Sequence, residues 1–197
     1  MCRFIETIRI EHGQLYNIEA HEQRMNQTRK AFFPGCPSIN LSGLLTPESY
    51  LERTRCRIEY DKDILNIEYI PYSLRPVKSL RCIEANEIDY HHKKADRSEL
   101  NNLFVQKGEA DDILIIRNRL LTDTSIANIA LWDGKQWITP AEPLLHGAMR
   151  EKLLSEGKLQ AKEINLDNLV NYQKIRLFNA MIDFGEIELP VSAISSY

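Results

Sequence analysis

The residues best suited to chemistry are few and scattered. His91-His92-Lys93-Lys94 sets two imidazoles beside two amines, and a lysine there becomes a nucleophile once burial and neighbouring cations lower its pKa. His21 and Arg24 share a helix face by their spacing of three, an arrangement that binds anions. Thr122-Asp123-Thr124 carries a carboxylate between hydroxyls, in the manner of an N-cap or turn. Leu145-His146-Gly147-Ala148-Met149-Arg150 puts a glycine at the mouth of a helix, where free backbone N–H groups favour a phosphate. Each also has a plain structural reading: a basic run is usually a solvated turn, and most helices offer such pairs and such N–H groups. His91 and His92 point to opposite sides of an extended segment, so no metal site is expected from them. Cys2, Cys36, Cys56 and Cys82 form no C-x-x-C pair and no zinc spacing, which reads as free thiols in a reducing cytoplasm.

The elements that must position these residues follow from the hydrophobic pattern. Cys2 to Ile10 is strand-like, His12-Gly13 turns, and Leu15 to Ile18 reads as the returning strand of a hairpin. A helix is predicted from about Glu19 to Phe33, closed by Pro34-Gly35, and a second from the Thr46-Pro47 cap to about Arg55. Strands are expected at Arg57 to Tyr60, Leu65 to Ile70 and Leu80 to Glu84. After a helix over Asp96 to Lys107, Asp112 to Ile116 reads as a strand buried on both faces, followed by an Asn118-Arg119 turn. Further strands are expected at Ile126 to Trp132, Trp137-Ile138, Leu159 to Ile164, Ile175 to Asn179 and Ile187 to Ser192, with a helix over Gly147 to Leu154. Strands and helices in this mixed order indicate an α+β fold. The polar run from Asn86 to His92 suggests a boundary, dividing a small N-terminal α+β domain (1–88) from a larger β-rich one (89–197).

Composition sets bounds on function. The chain has 197 residues, 43% hydrophobic and 27% charged, enough to bury a sizeable core. A net charge of −3 removes a bulk basic field for nucleic acid. No apolar run reaches the ~18–20 residues of a membrane helix, and Met1-Cys2-Arg3 does not open a signal peptide. A soluble cytoplasmic protein is the expectation.

The order of the weak signals carries more than any one of them. Ile5-Glu6-Thr7-Ile8-Arg9-Ile10, Gly13 and His21-Glu22-Gln23-Arg24 resemble the opening hairpin and helix of the class IV aminotransferases, the fold type IV pyridoxal-phosphate enzymes. Lys93-Lys94-Ala95-Asp96-Arg97, Gly108 with Ala110-Asp111-Asp112, Leu121-Thr122-Asp123 with Ala127-Asn128-Ile129, Thr139-Pro140 and Leu145 to Arg150 then follow in the family's order. Phe178-Asn179-Ala180-Met181 and Leu189-Pro190-Val191 are similar to the closing segment of 4-amino-4-deoxychorismate lyases. The family generally carries a further strand and an aromatic-glycine segment before the first of these stretches. The resemblance therefore implies a two-domain, N-terminally shortened fold of the D-amino acid aminotransferase type.

It also implies roles. Pyridoxal 5'-phosphate would be the cofactor, with Lys93 as the Schiff-base lysine and catalytic base, preferred over Lys94 by its spacing to Asp96-Arg97. Asp123, where the family usually has Glu, would pair with the pyridine nitrogen. Arg24 and the backbone N–H groups of Ala148 and Met149 would hold the phosphate, helped by Asn179 and Ala180, with Asn128 structural. The implied activity is a lyase releasing pyruvate to give p-aminobenzoate. The alternatives are a transaminase for D-amino or branched-chain amino acids and a non-catalytic cofactor-binding relative. A homodimer acting on a small-molecule amine, with no nucleic-acid or membrane partner, completes the expectation.

Overall fold

The computed structural model describes residues 2–195. The chain divides into two compact units, Met1–Leu74 with His92–Asp96, and Arg75–His91 with Arg97–Tyr197.

In the first unit an antiparallel sheet runs in the order β2-β1-β3-β4. β1 (Phe4–Glu11) turns Phe4, Ile8 and Ile10 inward at a spacing of two or four, the period that puts side chains on one face of a strand. His12 and Gly13 adopt φ of 53° and 72°, closing a tight hairpin onto β2 (Gln14–Leu15). The returning strand is shorter than expected because Asn17 goes left-handed at φ 53° and α1 (Ile18–Phe32) begins at once. The helix predicted from the Thr46 cap does not form. Pro47–Ser49 makes one 3-10 turn, the Thr46 side chain caps nothing, and Thr54 is already in β3 (Thr54–Tyr60). Seven residues of β3 pair with β1, and Cys56, Ile58 and Tyr60 alternate into the core, so sheet pairing overrides the local helix signal. β4 (Ile64–Pro71) completes the sheet. Met25 of α1, with Leu41 and Leu45 from the following loop, covers the inner face.

β5 (Leu80–Glu84) lies in the second unit, parallel to β6, although the division at 88/89 set it with the N-terminal part. Leu80 and Cys82 are fully buried there, and that burial outweighs the polar run that suggested the boundary. α2 (Ser98–Phe104) continues into a 3-10 turn at Val105–Lys107. β6 (Asp112–Arg117) is buried along five successive residues, as its unbroken apolar run requires. Asn118 and Arg119, at φ of 51° and 65°, turn the chain into β7 (Leu120–Thr124).

β7 corrects the reading of Thr122-Asp123-Thr124 as a cap or turn. These residues sit within a buried strand, and Thr122 satisfies its hydroxyl on the Ile115 carbonyl at 2.8 Å. β8 (Asn128–Trp132), β9 (Trp137–Pro140), α3 (Ala148–Ser155), β10 (Gln160–Lys162), β11 (Lys174–Asn179), β12 (Ile182–Pro190) and β13 (Ile194–Ser195) follow. β8 starts two residues later than expected, because Thr124 to Ala127 form a turn held by the Thr124 hydroxyl. β12 starts five residues earlier than expected and pairs with β11 along most of its length. The main path runs β10-β9-β8-β7-β6-β5-β13, with β11 and β12 attached through β8. Parallel pairs (β5 with β6 and β13, β9 with β10) mix with antiparallel ones, as expected of an α+β fold. No helix of the described residues is long and apolar enough to cross a membrane.

Candidate functional site

In the first unit the inward face of β1 carries one exception to its apolar rule. Glu6, with no exposure, sits between Phe4 and Ile8. Arg24 donates to it twice, from Nε to Oε1 at 2.9 Å and from Nη2 to Oε2 at 2.5 Å. His21 Nδ1 lies 2.7 Å from Oε2. Burial by itself would raise the pKa of Glu6, but the Arg24 guanidinium and the His21 bond overcome it and hold the carboxyl at about 2. An ionised carboxylate only accepts, so the His21 proton sits on Nδ1. The 3.5 Å approach of Arg24 Nη2 to Nδ1 is therefore a contact between two donors. Burial also keeps the His21 pKa low, against the pull of Glu6, with Arg24 and Lys93 adding to the effect. Neutral His21 leaves Nε2 unprotonated, and among the described residues that atom is buried without a hydrogen-bond partner.

Lys93 stands in a short segment laid along β1. The Ile5 N–H donates to the Lys93 carbonyl at 2.9 Å, the Ala95 N–H to the Arg3 carbonyl at 2.9 Å, and Phe4 bridges to Lys94. The Lys94 N–H folds back to the His92 carbonyl at 2.7 Å. The backbone of Lys93 is thus fixed on both sides while its residue stays half-buried.

In the second unit Asp123 and Asn128 face each other across β7 and β8. Asn128 Nδ2 donates to Asp123 Oδ1 at 2.8 Å and to the Leu145 carbonyl at 2.8 Å. The Leu145 N–H donates to Asp123 Oδ2 at 2.9 Å. Burial raises the Asp123 pKa to about 6, while these bonds and Arg150 restrain the rise. A carboxylate offers about four lone-pair sites, so the bonds from Asn128 and Leu145 and the backbone N–H of Leu144 leave room for one more donor. Gly147 caps α3 at φ −74°, ordinary for any residue. What demands glycine is space: a Cβ there would lie 2.1 Å from Asn128 Oδ1. Ala148 and Met149, both buried, open α3, and their N–H groups have no intrahelical partner.

The expected site residues therefore fall into two sets. Lys93 and Arg24 belong to the first unit; Asp123, Ala148, Met149, Asn179 and Ala180 belong to the second. Asn179 is engaged structurally: its Oδ1 accepts from the Met181 and Ile182 N–H groups at 2.8 and 3.0 Å, and Nδ2 donates to the Ile126 carbonyl at 3.0 Å. Ala180 lies in the turn between β11 and β12. Two residues went unassigned in the sequence reading. Glu6 announces itself as the lone acid at an inward position of an alternating apolar strand, a signal that period-two counting exposes. Arg150, 3% exposed, carries no such signal; it donates to the Pro140 carbonyl at 2.8 Å and lies close enough to lower the Asp123 pKa.

Three variants test this geometry. Glu6→Gln leaves Arg24 and His21 without their anion and should lower the urea-unfolding free energy at pH 7 by about 3 kcal/mol. The folded pKa of Glu6 is depressed, so its contribution is present above pH 4.5 and lost as the pH falls toward about 2; the difference between wild type and Glu6→Gln should shrink over that window. Asp123 behaves oppositely. Its folded pKa is raised, so its contribution is present below pH 3.8 and lost as the pH rises through about 6. The unfolding free energy of wild type relative to Asp123→Asn should fall by on the order of 3 kcal/mol across that window, and a flat difference would place the ionisation elsewhere. Gly147→Ala should cost about 1–3 kcal/mol by pushing Asn128 off Asp123, seen as a lower melting temperature.

The profile of the Amino-transferase class IV family matches residues 64–189. A crystal structure from Haemophilus somnus, of a protein provisionally named 4-amino-4-deoxychorismate lyase, superposes with a TM-score of 0.85 at 37% identity, covering 92% of this chain and 97% of that one. A Schizosaccharomyces pombe protein provisionally named aminodeoxychorismate lyase is 26% identical over 189 residues, 85% of this chain and 81% of its own. The PLP-bound form of a hypothetical aminotransferase from Mycobacterium tuberculosis shares the fold, with a TM-score of 0.76 at 15% identity over 98% of this chain and 81% of that one. With a profile match over more than half of its length, this chain belongs to the class IV aminotransferase family.

Proposed function

We propose that the protein is a pyridoxal-phosphate-dependent lyase that releases pyruvate from an aminodeoxychorismate-like amine to give p-aminobenzoate, working as a homodimer in the cytoplasm. The observation that carries this reading is Asp123, a buried carboxyl with a pKa of about 6 and lone pairs left for one more donor. Such a group matches a protonated pyridine nitrogen, and the residue set fits the cofactor. Arg24 and the N–H groups of Ala148 and Met149 would hold the phosphate, with the 179–180 turn beside them in role. Pairing with Glu6 fixes the plane of the Arg24 guanidinium.

When bound, the cofactor supplies an electron sink for the carbon that carries the substrate amine. The protein does the rest. Asp123 would hold a proton on the ring nitrogen, and its place on β7, one methylene shorter than Glu, is fixed by Asn128 and Leu145. Lys93 Nζ would take the proton from the amine-bearing carbon and pass it to the enolpyruvate leaving from the neighbouring carbon, so that p-aminobenzoate and pyruvate together account for every atom of the amine. The lyase name of the Haemophilus somnus protein supports this outcome over transamination.

Coupled to an aminodeoxychorismate synthase and fed chorismate, the purified protein should produce p-aminobenzoate. Lys93→Ala should abolish both turnover and the visible absorbance of bound cofactor, whereas Lys94→Ala should retain the absorbance. Steady amino transfer from an amino-acid panel to 2-oxoglutarate or pyruvate, without p-aminobenzoate, would replace the lyase reading by a transaminase.

A further inference from the structure

The chain leaves the second unit after His91 and returns to it at Arg97, so Lys93 lies in a short excursion whose two ends belong to the unit that carries Asp123. Within the second unit those ends are joined. Arg97 Nη1 donates to the Tyr90 hydroxyl at 3.4 Å, and the guanidinium carbon lies 5.7 Å from the centre of the Tyr90 ring. Tyr90 is itself fixed, buried in one cluster with Ile88, Leu100, Ile115 and Leu144. Arg97 Nη2 donates to the Ser125 carbonyl at 2.7 Å, in the turn that leads from Asp123 to its register partner Asn128. The next carbonyl of that turn, Ile126, is held by Asn179 at 3.0 Å. At the other end of the excursion the His91 ring stands edge-on to His146, 5.7 Å between centres, one residue before the glycine that opens α3.

Local rules do not explain an arginine at this position. Residue 97 is the N-cap of α2, where short acceptor side chains are preferred, and the Arg97 side chain caps nothing. A cation is also disfavoured at a helix N-terminus. Asp96 and Ser98 flank it, and either residue type would cap better. The tertiary contacts do explain it. Ser125 is buried, so its carbonyl needs a donor, and a forked guanidinium supplies one while also reaching Tyr90. Such departures from local consistency collect at functional sites.

We infer that Arg97 is a positioning residue, which ties the two ends of the Lys93 excursion to each other and to the turn that follows Asp123. Its value to the chemistry rests on the proposed roles of Lys93 and Asp123; the tie itself does not. In the first unit the Ile5 and Ala95 bonds fix the Lys93 backbone to β1. In the second, Arg97 fixes the points from which that backbone departs and to which it returns. Arg97 acts through the chain and through Ser125, on the placing of the amine and the acid rather than on any reacting atom. A displacement of about 1 Å at a reacting group costs on the order of a hundredfold in rate. Loss of the tie should therefore slow the chemistry of Lys93 and loosen the surroundings of Asp123 while the fold persists.

The test compares wild type, Arg97→Met and Arg97→Lys, first without cofactor. Carboxyl-carbon NMR should find Asp123 titrating at about 6 in wild type and lower in Arg97→Met, because a turn released from Arg97 admits water to the carboxylate. Pyridoxal 5'-phosphate is then added, and the product is fixed with borohydride and located by peptide mass. Wild type should be labelled at Lys93, and Arg97→Met on the order of a hundredfold more slowly. Arg97→Lys should fall between them, since one ammonium reaches Ser125 or Tyr90 but not both; it carries the comparison by the same two readouts where Arg97→Met does not fold. The inference is overturned if the variants are labelled at the wild-type rate. It is also overturned if the Asp123 midpoint stays in place and slower labelling is accounted for by the unfolded fraction, as a merely structural role requires. Labelling of wild type elsewhere than Lys93 overturns the proposed roles and this inference together. Labelling at Lys93 that depends on Arg97, with no p-aminobenzoate formed, sinks the lyase reading and leaves the tie standing.

Discussion

Asn128 spends both hydrogens of its amide on groups from different segments, the Asp123 carboxylate and the Leu145 carbonyl. Its oxygen meanwhile lies where any side chain on residue 147 would have to go. One side chain thereby joins β7, β8 and the entrance to α3. Remove it, and a buried carboxyl loses a donor and the helix entrance loses its tether. The pKa of Asp123 depends on this balance: burial raises it, and the bonds from Asn128 and Leu145 limit the rise. A carboxyl held near pH 6 is adjustable in a way that a fully solvated or fully paired one is not.

The first unit solves the opposite problem with the same materials. Glu6 is as deeply buried as Asp123, yet its pKa falls to about 2, because Arg24 and His21 reach it from one face of α1. The spacing of three between His21 and Arg24 brings both onto a single carboxylate from adjacent positions of the helix. Two buried acids thus titrate some four units apart, one with a cation bonded to it and one without. The divergence comes from partners, since burial pushes both in the same direction.

Much of this was legible in the sequence. The hairpin at His12-Gly13, α1, β5, the buried run of β6 and the turn at Asn118-Arg119 all rest on local signals, namely period, breakers and left-handed turn residues. Local signals failed where sheet pairing competed with them. Thr46-Pro47 looks like a helix start, but Thr54 to Tyr60 had a seven-residue partner in β1. Thr122-Asp123-Thr124 looks like a turn, because the hydrogen bonds that let polar residues sit in a buried strand come from residues distant in sequence.

By itself, then, the sequence determined the period of each element and the order of the chemical residues along the chain, and that order was enough to indicate the family. It offered a lysine at 93 or 94, Arg24 and Asp123 as candidates by residue type, and the family resemblance carried by their order gave Lys93, Arg24 and Asp123 their expected roles. Which acid is charged and why Gly147 must lack a side chain were decided only by tertiary structure. Each depends on what lies within a few ångströms across strands, and strand register, unlike helical spacing, is set by the whole sheet rather than by the segment that carries the residue.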